Sequence, residues 1–290
     1  MASVVIAAHN EANVIGQCLD ALAAQRFSGP IEIVVSANGC TDDTAAVAAR
    51  PGVTVLDRPE AGKPAALDAA DRVATGFPRV YLDADIVVPP HGVATLVARF
   101  EVLPRPLAVV PRRRVDTTGR PWPVRAYFSI NERHPAFRAG LFGRGMIVLS
   151  EEGRARFDTF PSLIADDLFL DSRFSAAEKA EVSEVEVVVE SPHTTRDLLR
   201  RLVRVRRGNA QLRAAAAAGA LDLPVRPPDR WAWLRDVVLR EPRRAPAAIP
   251  YLVITVAAAL LARRPVRAGD AWGRDDSTRA PSPPAEGTST

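Results

Sequence analysis

Two aspartates spaced i and i+2, Asp83 and Asp85, close the apolar run Val80-Tyr-Leu-Asp-Ala-Asp-Ile86. If that run is a buried strand that continues far enough, alternation carries both carboxylates to one side of its C-terminal end. Paired hard oxygens there suit a magnesium or manganese ion holding a diphosphate, because ligands of parallel sheets bind outside the carboxyl ends of the strands. The plain alternative is an apolar strand that ends in solvated acids. Three further polar clusters shift the balance toward a ligand site: Ala7-Ala-His-Asn-Glu11, Ser36-Ala-Asn-Gly-Cys-Thr-Asp-Asp-Thr44 and Gly62-Lys-Pro-Ala-Ala-Leu67. The last one carries Lys63 at a helix start, where free N–H groups and the positive dipole end join its formal charge in attracting a phosphate. Taken singly, each cluster reads as a simple turn.

These clusters converge only if the elements between them form a parallel sheet. Short β-branched runs at Ser3 to Ala7, Ile31 to Ser36, Val53 to Leu56 and Val80 to Leu82 read as strands. Amphipathic runs at Val14 to Gln25, Asp42 to Ala49 and Pro64 to Ala74 read as helices, the second capped by Thr41 and the third starting with Pro64 in its first turn. A helix after Pro89 and Pro90 to about Phe100 and a strand near Leu107 to Val110 complete a doubly wound half. From Arg112 to Ser162 the pattern loosens into mixed Arg, Pro, Gly and aromatic residues, with one strand-like run at Met146 to Ser150, and suits a segment that covers a substrate. A helix through Ile164 to Phe174, a strand at Val182 to Val189 and a long Arg/Ala helix from Thr195 to about Ala218 follow.

In that order and spacing, the clusters resemble the family-two inverting glycosyltransferases, which have the GT-A nucleotide-sugar fold. The resemblance covers Val4 to Asn209 and rests on AHNE, ANGCTDD, GKPAAL, LDADI, ADDLFL and RLVRVRRGN. It implies an α/β protein of GT-A type, a mostly parallel nucleotide-binding sheet flanked by helices, with a helical Arg-rich C-terminal region. It further implies that Ala8 and Glu11 contact the nucleoside, that Asn38 lies where an aspartate usually holds the base, and that Lys63 lies beside the nucleotide. Asp83 would lie near the ribose or phosphate, and Asp85 would ligate the metal. Ala165-Asp-Asp-Leu168 is similar to the family's Glu-Asp pair, which makes Asp167 the candidate base with Asp166 next to it. Arg201-Leu-Val-Arg-Val205 looks like a degenerate QxxRW motif whose matching arginine is Arg204. Valine in place of the tryptophan removes a planar surface beside the acceptor and disfavours processive synthesis.

The expected activity is metal-dependent, inverting transfer of one sugar from a nucleoside diphosphate sugar to a hydroxyl acceptor in envelope glycolipid or polysaccharide synthesis. A sugar-phosphate nucleotidyltransferase shares the nucleotide-holding sheet, but its glycine-rich loop with Arg after the first strand is missing here. Dinucleotide oxidoreduction is weaker still, since AHNEANVIG is no GxGxxG. A catalytically degenerate binding or scaffold subunit is motivated by Asn38 and by Arg201 to Val205, and opposed by retention of Asp83, Asp85 and Asp167.

Composition bounds the remaining choices. At 290 residues, 47% hydrophobic and 25% charged, the chain has globular usage and enough length for a core. Two cysteines without CxxC spacing, Cys18 and Cys40, offer neither a disulfide framework nor a thiolate zinc site, and the start MASVVIAAHNE lacks a basic leader, so a cytoplasmic protein is expected. Thirteen arginines against five acids lie between Arg196 and Arg244, a local +8 within a net charge of +4. Aromatics at 6% and no recognition motif argue against nucleic acid as the partner. The uncharged stretch Pro246 to Ala262 lies between arginine pairs, at the short limit of about 17 to 25 residues for a spanning helix. Peripheral association with an anionic membrane surface, at the inner face of the cell membrane, is the expectation for this end, where a lipid-linked acceptor would be found. A single span and a soluble core helix are the alternatives. The chain thus divides into a nucleotide-sugar-binding half (1–111), an acceptor-binding and catalytic half of the same domain (112–220), a helical membrane-associating segment (221–267) and a disordered tail (268–290).

Overall fold

The computed structural model describes residues 1–264 apart from Ile164, Arg226 and Pro228. The tail expected at 268–290, the last residues of the segment 221–267 and the start of the helix expected at Ile164 lie outside the described residues. Seven strands form one sheet: β1 (Ala2–Ala8), β2 (Ile31–Asn38), β3 (Val53–Arg58), β4 (Arg79–Leu82), β5 (Ala108–Asp116), β6 (Met146–Leu149) and β7 (Lys179–Glu190), in the spatial order β3-β2-β1-β4-β6-β5-β7. Every neighbouring pair is parallel except β4 with β6 and β6 with β5, so β6 alone is reversed. That reversal matters for the site. The start of β6 lies at the same sheet edge as the ends of β1, β2 and β4, with Met146 opposite Leu82.

Strands buried on both faces need near-continuous apolar runs, and β1, β4 and β6 supply them. Val4, Ile6, Val80, Leu82, Met146 and Val148 point into one core with α1 (Ile15–Ala23), α2 (Thr44–Ala48) and part of α4 (Gly92–Ala98); Val5, Tyr81, Ile147 and Leu149 point into the other, with α3 (Lys63–Val73). The expected domain boundary at 111–112 falls inside β5, which runs on past Pro111 through a bulge and pairs Arg112–Asp116 with Glu186–Glu190 of β7. Proline supplies no ladder N–H, and an irregularity follows directly after it.

The loosely patterned stretch after β5 contains α5 (Trp122–Asn131), α6 (Pro135–Ala139) and α7 (Glu151–Arg154). Val124, Tyr127, Phe128 and Ile130 of α5 pack with Leu198, Trp233, Tyr251 and Ile254 in a third core. α8 (Asp166–Ser172) is shorter than the helix expected from Ile164 to Phe174. The long helix α9 (Thr195–Ala217) matches expectation, its N-terminus capped by Thr194 Oγ1, which accepts from Asp197 N (3.2 Å).

Two local expectations are corrected. Thr41 does not cap α2: its backbone N–H donates to Asn10 Oδ1 (2.8 Å), and the Asp42 carboxylate accepts from Thr44 N (3.1 Å) and Ala12 N (3.1 Å) instead. The C-terminal helix is not arginine-rich. α10 (Ala245–Ala262) holds no charged residue, and the arginines lie on α9 and in the segment leading to α10.

Candidate active site

The site forms at the edge where strands end and β6 begins. Asn38, 3% exposed at the end of β2, donates through Nδ2 to Ala8 O (2.7 Å) and Ser36 O (3.3 Å) and accepts at Oδ1 from Gly62 N (3.0 Å). One buried amide therefore ties the end of β1 to the residue that precedes Lys63, with both its donor and acceptor sides satisfied. Glu11 is 4% exposed; its backbone N–H donates to Thr44 Oγ1 (2.7 Å). His9 Nδ1 lies 2.6 Å from Asn38 O and packs the same loop.

Lys63 opens α3 and reaches two carboxylates, Asp83 Oδ1 and Asp166 Oδ2, each at 2.8 Å. Desolvation on its own would lower the ammonium pKa; the charges of Asp166, Asp83 and Asp167 outweigh it and hold the pKa well above its ordinary value. Its side chain still keeps 34% exposure.

Asp83 and Asp85 are brought together by a turn, which corrects the strand alternation expected for them. β4 stops at Leu82, Ile86 N donates back to Asp83 O (3.2 Å), and Asp83 N donates to Gly145 O (2.8 Å) before β6. Gly145 has φ +67, and a Cβ there would sit 2.5 Å from Ile86 Cγ1 and 3.3 Å from Asp83 Oδ2. Glycine is required for this approach.

Asp167, in the first turn of α8, accepts from Gly143 N at Oδ2 (3.0 Å). Desolvation, then the neighbouring Asp166 charge, push its pKa up to about 7; Asp83 adds to this, while Lys63 and the Gly143 hydrogen bond oppose it. Lys63, Asp83, Asp85, Asp166, Asp167 and Arg204 line one cleft of about 380 Å³. Ala8, Glu11 and Asn38 do not line it and sit behind Lys63 at the sheet edge.

On the opposite wall, most residues other than the Arg201 to Val205 motif are ones the sequence does not single out. This wall is built by α5 and α9 through Tyr127, Phe128, Asn131, Leu198 and Leu202, with Arg113 from β5 and Arg201 from α9. Arg113 donates to Gly143 O (3.2 Å) and Asn131 Oδ1 (3.2 Å) and lies 4.2 Å over the Phe137 ring. The spacing of Val124, Tyr127, Phe128 and Asn131 is the helical signal that could have revealed this wall.

Among the described residues, no three His, Cys, Asp or Glu side chains converge as a protein-only metal site. The exposed Asp85 and the half-buried Asp83 offer one or two carboxylates on a single turn. That donor set fits a hard divalent ion that takes its remaining ligands from a diphosphate and water.

Residues 3–150, just over half of the chain, match the family model described as Glycosyl transferase family 2. The chain belongs to that family. Among solved structures, this family-2 chain is similar to the mannosyltransferase PcManGT from Pyrobaculum calidifontis in complex with GDP-Man and Mn2+: 22% identity, TM-score 0.58, with 89% of this chain and 86% of that one covered. It is also similar to S. aureus TarS 1-349 in complex with UDP, at 17% identity and TM-score 0.50, covering 70% of this chain and 64% of that one. The chain thus spans less than two thirds of that TarS chain, and the likeness at these identities is one of fold. No curated protein matches it.

Proposed function

We propose that this family-2 chain transfers a single sugar, with inversion, from a nucleoside diphosphate sugar to a hydroxyl acceptor. The observation that carries the reading is Asp167, held by Gly143 N in the cleft that also presents Lys63, Asp83 and Asp85. A carboxylate that titrates near neutrality is matched to accepting the proton of an attacking hydroxyl. Lys63 engages Asp166 and Asp83 in ion pairs, which leaves Asp167 as the proton acceptor. A divalent ion, when held by Asp85 with Asp83 beside it, supplies charge neutralisation for the leaving diphosphate. Lys63 and Arg204 line the same cleft and add positive charge to it. A single attack by the acceptor oxygen, deprotonated by this base and opposite the leaving group, inverts the anomeric centre, and no second carboxylic acid is needed for a diphosphate leaving group.

A reaction at a membrane surface is supported by α10. Tyr251, Ile254 and Ala258 dock on the domain, with Tyr251 stacked on Tyr127 at 5.0 Å, while Ile249, Leu252, Val253, Val256 and Leu260 form an exposed apolar stripe. Arg207 caps the last turn, donating to Leu261 O (3.3 Å) and Arg264 O (3.1 Å). The stretch Pro242–Ala262 is long and apolar enough to cross a bilayer, with mean hydropathy 2.0. Its docking on the domain supports an interfacial helix, flanked by arginines that attract anionic lipid, on the cytoplasmic side where a lipid-linked acceptor is reached. Envelope glycolipid or polysaccharide is the product class this placement serves.

The test is donor turnover with manganese across a panel of nucleoside diphosphate sugars, in the wild type and in Asp85→Ala. Metal-dependent turnover that Asp85→Ala abolishes supports the reading. Donor binding without turnover on any acceptor, unaffected by metal, contradicts it and leaves the degenerate binding subunit. In fractionation, release by high salt supports the interfacial helix, and release only by detergent contradicts it.

A further inference from the structure

The groups along the cleft floor are linked in a fixed order. Asp83 and Asp166 share Lys63; Asp167 follows Asp166 in the chain; Asp167 Oδ2 accepts from Gly143 N; and Gly143 O accepts from Arg113. A single residue, Gly143, therefore links the proposed base to a guanidinium. Resting on the glycosyl-transfer reading, we infer that Arg113 and Arg201 form an anion subsite at the acceptor end, so that the acceptor carries a phosphate or carboxylate next to its attacking oxygen.

Three observations carry this inference. First, neither arginine joins an ion pair among the described residues: Arg113 binds Gly143 O and Asn131 Oδ1, and Arg201 binds Glu190 O (3.4 Å). The largest opposing charge felt by Arg113 is Glu132, whose Oε1 is used by Val115 N (2.7 Å). Second, the charges reinforce one another. Desolvation, with Arg144 and Arg201 adding to it and Glu132 opposing it, lowers the Arg113 pKa to about 10, although Arg144 is itself matched by Glu181 at 2.7 Å. A desolvated guanidinium held beside another cation is costly unless an anion completes it. Third, Phe137 under Arg113 and the bonds to Gly143 and Asn131 fix its plane, which suits two-point recognition of a phosphate or carboxylate. Arg213 lines the same cleft, desolvated and bonded to Asn209 O (3.5 Å), and extends the positive wall.

The experiment saturates the full chain with a nucleoside diphosphate and manganese, so that the donor phosphates are occupied, and then titrates inorganic phosphate by thermal shift. The expected result is a second, saturable stabilisation that weakens at least about tenfold in Arg113→Gln and in Arg201→Gln, with nucleotide affinity unchanged. Identical phosphate titrations in wild type and variants overturn the inference. So does phosphate that competes with the nucleotide, which would assign both arginines to the donor. Arg201→Gln, on a half-buried helix face, keeps the test valid if Arg113→Gln fails to fold. Failure to bind any nucleotide sinks the glycosyl-transfer reading instead, and phosphate titrated without nucleotide still reads the subsite. Competition by vesicles containing phosphatidic acid, but not by soluble glycerol phosphate, assigns the anion to a lipid; the reverse assigns it to a soluble acceptor, and both outcomes support the anionic class.

Discussion

The two ends of the cleft carry opposite electrostatic demands. At the donor end Asp83 and Asp166 pair with the ammonium of Lys63 and Asp85 lines the same cleft, so negative charge is in excess until a cation arrives. At the acceptor end Arg113 and Arg201 face the cleft with no ion pair among the described residues, so positive charge is in excess until an anion arrives. The ends also differ in construction. Strand termini and tight turns fix the donor end, whereas the acceptor end is a wall of helices held by side-chain packing. Asp167 sits at the junction. On the proposed reaction, metal and diphosphate belong at one end and an anionic acceptor at the other, with the base between them.

The largest effect is expected at the junction itself. Asp167→Asn should retain nucleotide binding and lower turnover at least about a hundredfold, measured as kcat on saturating donor. Loss of nucleotide affinity with rate retained would move the base to Asp166. Next, Leu198→Ala should break the acceptor end selectively. Leu198 is fully buried among Val124, Ile130, Trp233 and Tyr251 and also lines the cleft. Truncation should cost about 2–5 kcal/mol in denaturant unfolding and raise the acceptor KM, with nucleotide affinity little changed. Equal loss at both ends would show that they are not separately built.

A smaller effect is expected from Asn38→Asp at the donor end. An oxygen in place of Nδ2 would face Ala8 O, now 2.7 Å away, and Ser36 O without a proton to share. The buried clash should cost about 1–3 kcal/mol of stability, and a more stable variant would show that the carboxylate has found another partner. The smallest effect on folding is expected for Leu252→Ser with Val253→Ser on α10. Both side chains are exposed, so unfolding should move by less than about 1 kcal/mol while vesicle sedimentation falls. Unchanged sedimentation would remove the membrane from the account.

The same difference in construction explains what could be read in the sequence. At the donor end each polar cluster is local to one strand end, so AHNE, ANGCTDD, GKPAAL and LDADI announced both their elements and their convergence. Even there Asp83 and Asp85 meet through a turn whose partner strand, β6, runs in the reversed direction, and that direction depends on distant pairing. At the acceptor end, Arg113 is hidden inside Arg112-Arg113-Arg114 in a chain rich in arginine, and only Asn131, Gly143 and Phe137 single it out. α5 was concealed by prolines and aromatics around its start, and its helical spacing gains meaning from α9 and α10 packing on it. The late arginine cluster was visible, but it belongs to α9 and the segment before α10, while α10 itself is uncharged.

The most direct test of a base at the junction of two oppositely charged ends is the pH dependence of kcat on saturating donor. Desolvation and the Asp166 charge push the Asp167 pKa up to about 7, and the group accepts a proton only when ionised. Turnover should therefore fall about tenfold per pH unit on the acidic side of the raised Asp167 pKa, and this acidic limb should vanish in Asp167→Asn. A rate that stays flat between roughly pH 5 and 8 in the wild type, or an identical limb in Asp167→Asn, would contradict the account.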